Sequence, residues 1–173
     1  KDKFRLSLFG FDPQRDYFCL TREEVGRRIN IARPDDALML EKANGRVTHT
    51  GGKRFERDSW QYRTVREWLS NGAPNDPPNT PKVVDVEIRP MQAVLEGSGA
   101  TQQLTVRAKY SDGTVRDVTE KTVFISNNGI AAKASPAGLI TSGKPGEAFI
   151  MARFDQITTG TQIISIPKLP DYK

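Results

Sequence analysis

The sequence predicts a mainly β chain: an antiparallel β-sandwich in the C-terminal half, preceded by a small helical and irregular region. Three observations predict it. Beyond residue 82, apolar and polar residues alternate with a period of two. Turn residues recur in that half at about the 8–12-residue spacing of sandwich strands. Four prolines fall within Ala73–Pro81 and separate this region from one with helical texture. Proline fixes φ and donates no hydrogen bond, so 73–81 reads as an extended, semi-rigid linker. The divisions expected are a helical region over 1–72, the linker, a sandwich over 82–167 and a tail over 168–173.

In the helical region the strongest element is predicted over 58–71. Asp58 or Ser59 can cap it. Tyr62, Val65, Trp68 and Leu69 fall on one face at helical spacing, and Gly72 with Pro74 stops it. A second helix is expected from Pro34, a residue suited to a first helical position, to Asn44–Gly45. A third, short helix is expected around 21–28, with Thr21 as cap and Glu24 at the capping-box position. Phe4–Gly10 alternates and fits a strand or an extended loop.

In the sandwich region Val84, Val86 and Ile88 are expected to face one way, as are Leu104, Val106, Ala108 and Tyr110. Asp112-Gly113 is a hairpin signal. Further strands are expected near 122–126, 130–134, 138–141, 147–154 and 161–167, giving seven or so. Phe124, Ile130, Ala148, Ile150, Ile164 and Ile166 are the expected core.

Composition narrows the function. Hydrophobic residues make up 36% and charged residues 27%, the balance of a globular chain. The net charge is +5, but basic and acidic residues are interleaved in both halves. A solvated mixed-charge surface is expected, with no nucleic-acid partner. No apolar run approaches the roughly 20 residues of a membrane span, so no membrane insertion is expected. Cys19 is the only cysteine; it lies in an apolar stretch and reads as a buried structural thiol. The C-terminal half holds no histidine and no close carboxylate cluster for Ca²⁺. Gly51-Gly52-Lys53-Arg54 lacks the spacing of a phosphate loop. No catalytic residue and no metal ligand is expected, and the chain is read as a non-enzyme.

The landmarks Val84–Ile88, Gln103–Val106, Tyr110–Thr114, Asp117–Thr119, Ile125–Asn128, Gly138–Thr141 and Pro145–Ile150 occur in order. Together they resemble a bacterial Ig-like domain of group 2 (Big-2), with Phe124 where that family often has Trp. The resemblance implies an Ig-like sandwich serving as a spacer or interaction module in extracytoplasmic surface and adhesin-like proteins, periplasmic or cell-surface. Its expected partners are neighbouring domains of the parent protein and other surface proteins or glycans. An adhesion or carbohydrate-binding module is the alternative.

The N-terminal half resembles the C-terminal part of a planctomycete-type cytochrome c-like domain. The residues that carry this are Phe4–Pro13, Gly26–Asn30, the loop Val47–Phe55 around His49, and Trp68-Leu69-Ser70-Asn71-Gly72-Ala73-Pro74. The resemblance implies a Cys-x-x-Cys-His attachment motif upstream of Lys1. That motif is not in this sequence, so no cofactor is expected in this chain itself, and haem c belongs to the full-length parent. There His49 is the candidate axial ligand, and the piece would contribute to an electron-transfer protein. Met39, the other candidate, lies in an apolar helical run and reads as core.

Overall fold

The computed structural model describes residues 4–168, so the end of the expected tail, 169–173, lies outside the described residues. The chain divides into two compact units between Asn79 and Thr80.

The first unit is built on three helices: α1 (Pro13–Thr21), α2 (Leu38–Ala43) and α3 (Trp60–Ser70). α3 forms as its pattern predicts. The Ser59 hydroxyl accepts from Tyr62 N–H at 3.2 Å, satisfying an orphan donor of the first turn. Tyr62 and Leu69 are buried, and Val65 and Trp68 pack beside them. The helix expected from Pro34 is split. A 3₁₀ turn covers Pro34–Asp36, then Ala37 takes an extended conformation before α2 begins.

The helix expected around 21–28 is displaced toward the N-terminus. Asp12 is the cap, accepting from Arg15 N–H at 3.0 Å, and Pro13 occupies the first turn. Thr21 closes α1 instead of opening a helix, and its hydroxyl donates to the Tyr17 carbonyl at 2.7 Å. Glu24 has φ 51°, which a continuing helix does not allow. Phe4–Gly10 is not a strand; Leu8–Gly10 forms a 3₁₀ turn. Cys19 is buried, as its apolar neighbours suggest. The core of this unit is small: Ala37, Leu40, Tyr62, Leu69 and Ala73, with Met39 packed against it.

The second unit is a two-layer sandwich. One layer contains β1 (Val83–Arg89), β3 (Thr101–Gln103), β4 (Thr105–Tyr110), β5 (Val115–Asp117), β7 (Ala132–Ala134) and β8 (Leu139–Ser142). Its pairings run β1-β4-β5 and β3-β8-β7. β3 and β4 are halves of one strand, interrupted at Leu104, whose N–H goes to the Gly138 carbonyl at 2.9 Å. The other layer orders β2 (Gln92–Glu96), β10 (Ile157–Ile166), β9 (Gly146–Phe154) and β6 (Val123–Ser126) as β2-β10-β9-β6. Every pairing is antiparallel except β2 with β10, which is parallel. The chain passes from the first layer to the second at the cis peptide Arg89–Pro90. Two packed sheets of almost wholly antiparallel strands are the arrangement of an Ig-like β-sandwich.

The core is aliphatic. Val86, Ile88, Leu104, Val106, Ala108 and Ile140 of one layer meet Leu95, Ala148, Ile150, Ala152 and Ile163 of the other. Four expectations of inward-facing residues are corrected. Val84 is exposed, because a bulge between the Val83 and Asp85 pairings turns it out and leaves Val83 against the core. Ile130 lies in a turn before β7 and is 69% exposed. In β10 the inward positions are Thr161, Ile163 and Ser165, so Ile164 and Ile166 face outward. A parity choice of one residue reverses every side chain of a strand.

Candidate functional site

His49 sits in the loop between α2 and α3 and is half-buried. Its carbonyl accepts from Gly52 N–H at 3.2 Å. Its imidazole lies on Gly51: a Cβ on that glycine would fall 2.5 Å from Nε2. Glycine therefore permits this ring position. Among the described residues no hydrogen bond or ion pair engages the imidazole. No group of three or more His, Cys, Asp or Glu among them is placed to hold a metal ion. As to haem c, two thiols are needed for covalent attachment, and the single Cys19 is buried in α1. The residues present do not fit attachment.

A polar cluster that the sequence did not suggest lies nearby in the chain. Tyr62 of α3 donates its hydroxyl to Asp35 at 2.8 Å, and Arg66, one turn on, gives Nε–H to the same carboxylate at 3.0 Å. Arg57 approaches Asp35 at 3.7 Å and stands 5.6 Å from the Tyr62 ring centroid. The Tyr62 hydroxyl bond, then the Arg66 bond, hold the Asp35 carboxyl below its ordinary value. Burial, then the bond to Asp35, pushes the Tyr62 hydroxyl up. The cluster joins the Pro34–Asp36 turn to α3. Beside Arg57 lies an open cleft of about 640 Å³, lined by Asn44, Gly45, Arg46, Glu56, Arg57 and Asp58. Its arginines are already matched: Arg46 approaches Glu41 at 3.4 Å, and Arg57 reaches Asp35. This is the chemistry of a fold-locking network.

A pH prediction follows. A depressed folded-state pKa stabilises the fold above the unfolded-state value, and that contribution is lost as pH falls through the folded value. The first unit should hold its thermal midpoint from neutral pH to about pH 5 and lose it below about pH 4. Both tryptophans, Trp60 and Trp68, belong to this unit, so their fluorescence reads it separately from the sandwich. Asp35→Asn should flatten the acid limb; an unchanged limb would show that another carboxylate carries it.

In the second unit a shallow groove of about 560 Å³ runs past Gln103, Thr105, Asp117, Thr119 and Ala137. Its polar groups also serve the fold. The Gln103 amide donates to the Leu104 and Ala137 carbonyls at 2.7 and 2.8 Å. Asp117 accepts from Thr119 N–H at 2.9 Å, and that bond holds its carboxyl below the ordinary value.

Each unit also exposes apolar side chains. In the first unit Leu8, Phe11 and Val25 are 77, 75 and 81% exposed. In the second, the outer face of the β2-β10-β9-β6 sheet shows Val94, Val123, Ile125, Phe149, Met151 and Ile166 to solvent. No helix among the described residues is long and apolar enough to cross a membrane.

No protein-family model matches the chain, and no curated protein matches it in sequence. Among solved structures it is similar to part of the surface layer protein SbsC. Domains 1–6 of that protein align at 13% identity and TM-score 0.45 over 53% of this chain and 14% of that one. Domains 5–6 align at 12% and 0.43, over 50% and 45%. Domains 4 and 5 align at 11% and 0.43, over 50% and 54%. The chain thus spans 14 to 54% of the length of these three structures.

Proposed function

We propose that this chain is a non-catalytic part of an exported, multidomain cell-surface protein of the Big-2 kind. In this reading the Ig-like unit is an in-line spacer and interaction module, next to a helical unit resembling a haem-less cytochrome c-like segment.

The observation that carries the spacer role is the direction of the first and last strands. β1 and β2 together run from Val83 to Glu96, and β2 lies parallel to β10. Where they finish, Gly97 N–H donates to the Ile166 carbonyl at 2.9 Å. The opening strand therefore has to travel the length of the sandwich before it meets the end of the closing one. The chain enters at one end and leaves at the other. At about 3.3 Å per residue, these 14 residues separate entry from exit by roughly 40 Å. A module of this kind extends a chain of domains; one with both termini at the same end would fold it back.

The test is a distance. Lys82→Cys and Lys168→Cys, in a Cys19→Ser background, take spin labels at the two ends. A narrow distribution centred at roughly 40 Å is expected. One centred below roughly 20 Å would place both termini at one end and end the spacer reading.

His49 carries a second reading, because its imidazole takes no hydrogen-bond partner among the described residues and has a nitrogen to offer. In a full-length parent that attaches haem c, His49 would supply an axial nitrogen. When bound, haem supplies one-electron chemistry. The full-length protein, exported in a host able to attach c-type haem, should then show a Soret band that shifts in a His49→Ala variant. Identical bands in the two proteins would leave His49 a loop residue.

A further inference from the structure

Tension on an in-line module enters at one terminus and leaves at the other, so the first and last strands set its path. Here it enters ahead of β1 and leaves at the end of β10. β2 and β10 lie side by side and parallel, with Gln92 to Glu96 in register with Gln162 to Ile166. Pulling the termini apart drags β2 toward its Gln92 end and β10 toward its Ile166 end. The two directions are opposite, and both lie along the strands. The ladder bonds cross between the strands, so all five register pairs are loaded together, in shear. Terminal strands paired antiparallel, with both termini at one end, would open one pair at a time.

Both ends of β2 are fastened. At its start the buried Thr161 hydroxyl donates to the Pro90 carbonyl at 2.7 Å, and Gln162 N–H donates to the Met91 carbonyl at 3.5 Å. At its end Gly97 N–H donates to the Ile166 carbonyl at 2.9 Å, and the buried Ser142 hydroxyl donates to the Gly97 carbonyl at 2.6 Å. Buried Leu95 and Ile163 keep water from the inner side, where a hydrogen bond is stronger than in water. β1 is held separately, on β4 of the other layer. Once its pairs yield, tension passes to β2 and meets this ladder.

We propose, resting on the spacer reading, that the β2–β10 pair is a mechanical clamp and that the Ig-like unit carries tension between neighbouring domains. Its resistance comes from the direction of the load. Pulled at Lys144 and Lys168, the same sandwich is loaded differently: Gly146 pairs with Ser165, so both sites lie at one end and β10 peels away a pair at a time. The equilibrium stability of the unit is the same in both experiments. The unfolding rate under load, which governs forced unfolding, is not.

Optical tweezers on the whole chain test this in a Cys19→Ser background. Lys82→Cys with Lys168→Cys gives the shear handles, and Lys144→Cys with Lys168→Cys gives the peeling handles. At one loading rate the shear handles should unfold the unit at a force at least about twice that of the peeling handles. Two proline variants locate the clamp. Alternate residues of β2 face β10, and Met91 and Gly97 are among them, so Ala93 N–H serves the ladder while Val94 N–H faces the open edge. Ala93→Pro should bring the shear force down close to the peeling force. Val94→Pro, at an edge position that proline tolerates, should keep the wild-type ratio. Circular dichroism confirms that each variant is folded; if Ala93→Pro does not fold, the wild-type ratio alone decides. Equal forces in the two directions, or a shear force that survives Ala93→Pro, would overturn the proposal. Equal forces with the spin-label distance still at roughly 40 Å would remove the clamp and leave the spacer, whereas a distance below roughly 20 Å would remove both.

Discussion

Gly143→Ala is expected to destabilise the Ig-like unit by about 3–5 kcal/mol, combining steric overpacking with a lost buried backbone bond. A Cβ at Gly143 would collide with the Ile130 carbonyl oxygen and approach the Ile130 carbonyl carbon at 3.2 Å. That carbonyl cannot step aside cheaply. It accepts from Lys144 N–H at 2.9 Å, while Gly143 N–H itself donates to the Ala131 carbonyl at 2.7 Å. The Ala131 carbonyl also receives the buried Ser165 hydroxyl at 2.8 Å. Relief at one point therefore breaks contacts at the next. For a unit of this size the thermal midpoint should fall by roughly 15–25 °C. Gly129→Ala is the control: beyond its chain neighbours no atom lies within 4 Å of its Cβ, so its stability should stay within about 0.5 kcal/mol of wild type. Equal effects at the two glycines would mean that the Ile130–Lys144 turn can open at little cost.

Ile163→Ala is expected to cost about 3–4 kcal/mol, and Ile164→Ala, one residue away, less than about 1 kcal/mol. Ile163 is fully buried between the layers and pairs with Ala148. Removing its side chain leaves a cavity that small neighbours such as Ala148 and Ala152 cannot refill. Ile164 faces outward on β10, beside Val94 of β2. Chemical denaturation read by far-ultraviolet circular dichroism measures both. Comparable losses would show that β10 buries both faces.

How much of the candidate surfaces was legible depended on range. His49 was singled out by the resemblance of its loop to a cytochrome c-like segment, a match within the sequence that needs no tertiary information. Asp35, Tyr62 and Arg66 were not identifiable as a cluster. Tyr62 and Arg66 share a helix face, but their carboxylate lies 27 and 31 residues away. The apolar sheet face was hidden for a different reason. In β10 the run Ile163-Ile164-Ser165-Ile166 is apolar at both parities, so alternation could not tell the core from the surface.

The sequence by itself determined what short-range physics controls. The proline-dense segment separated two textures of chain. Ser59 and Gly72 bounded α3, and Asp112-Gly113 placed a turn where Gly113 takes φ 82°. The strict alternation of Leu104, Val106 and Ala108 fixed the inward face of its strand, and all three are fully buried. Only the tertiary structure decided the rest. It moved the first helix to Pro13–Thr21, because the Asp12 cap and the bond from Tyr17 to the Ala73 carbonyl at 3.2 Å anchor it there. It turned Val84 out with a bulge and chose Ile163 over Ile164. The reason is common to all of these: caps and turns are satisfied within a few residues, whereas the parity and register of a strand are set by the strands it pairs with, which lie tens of residues away.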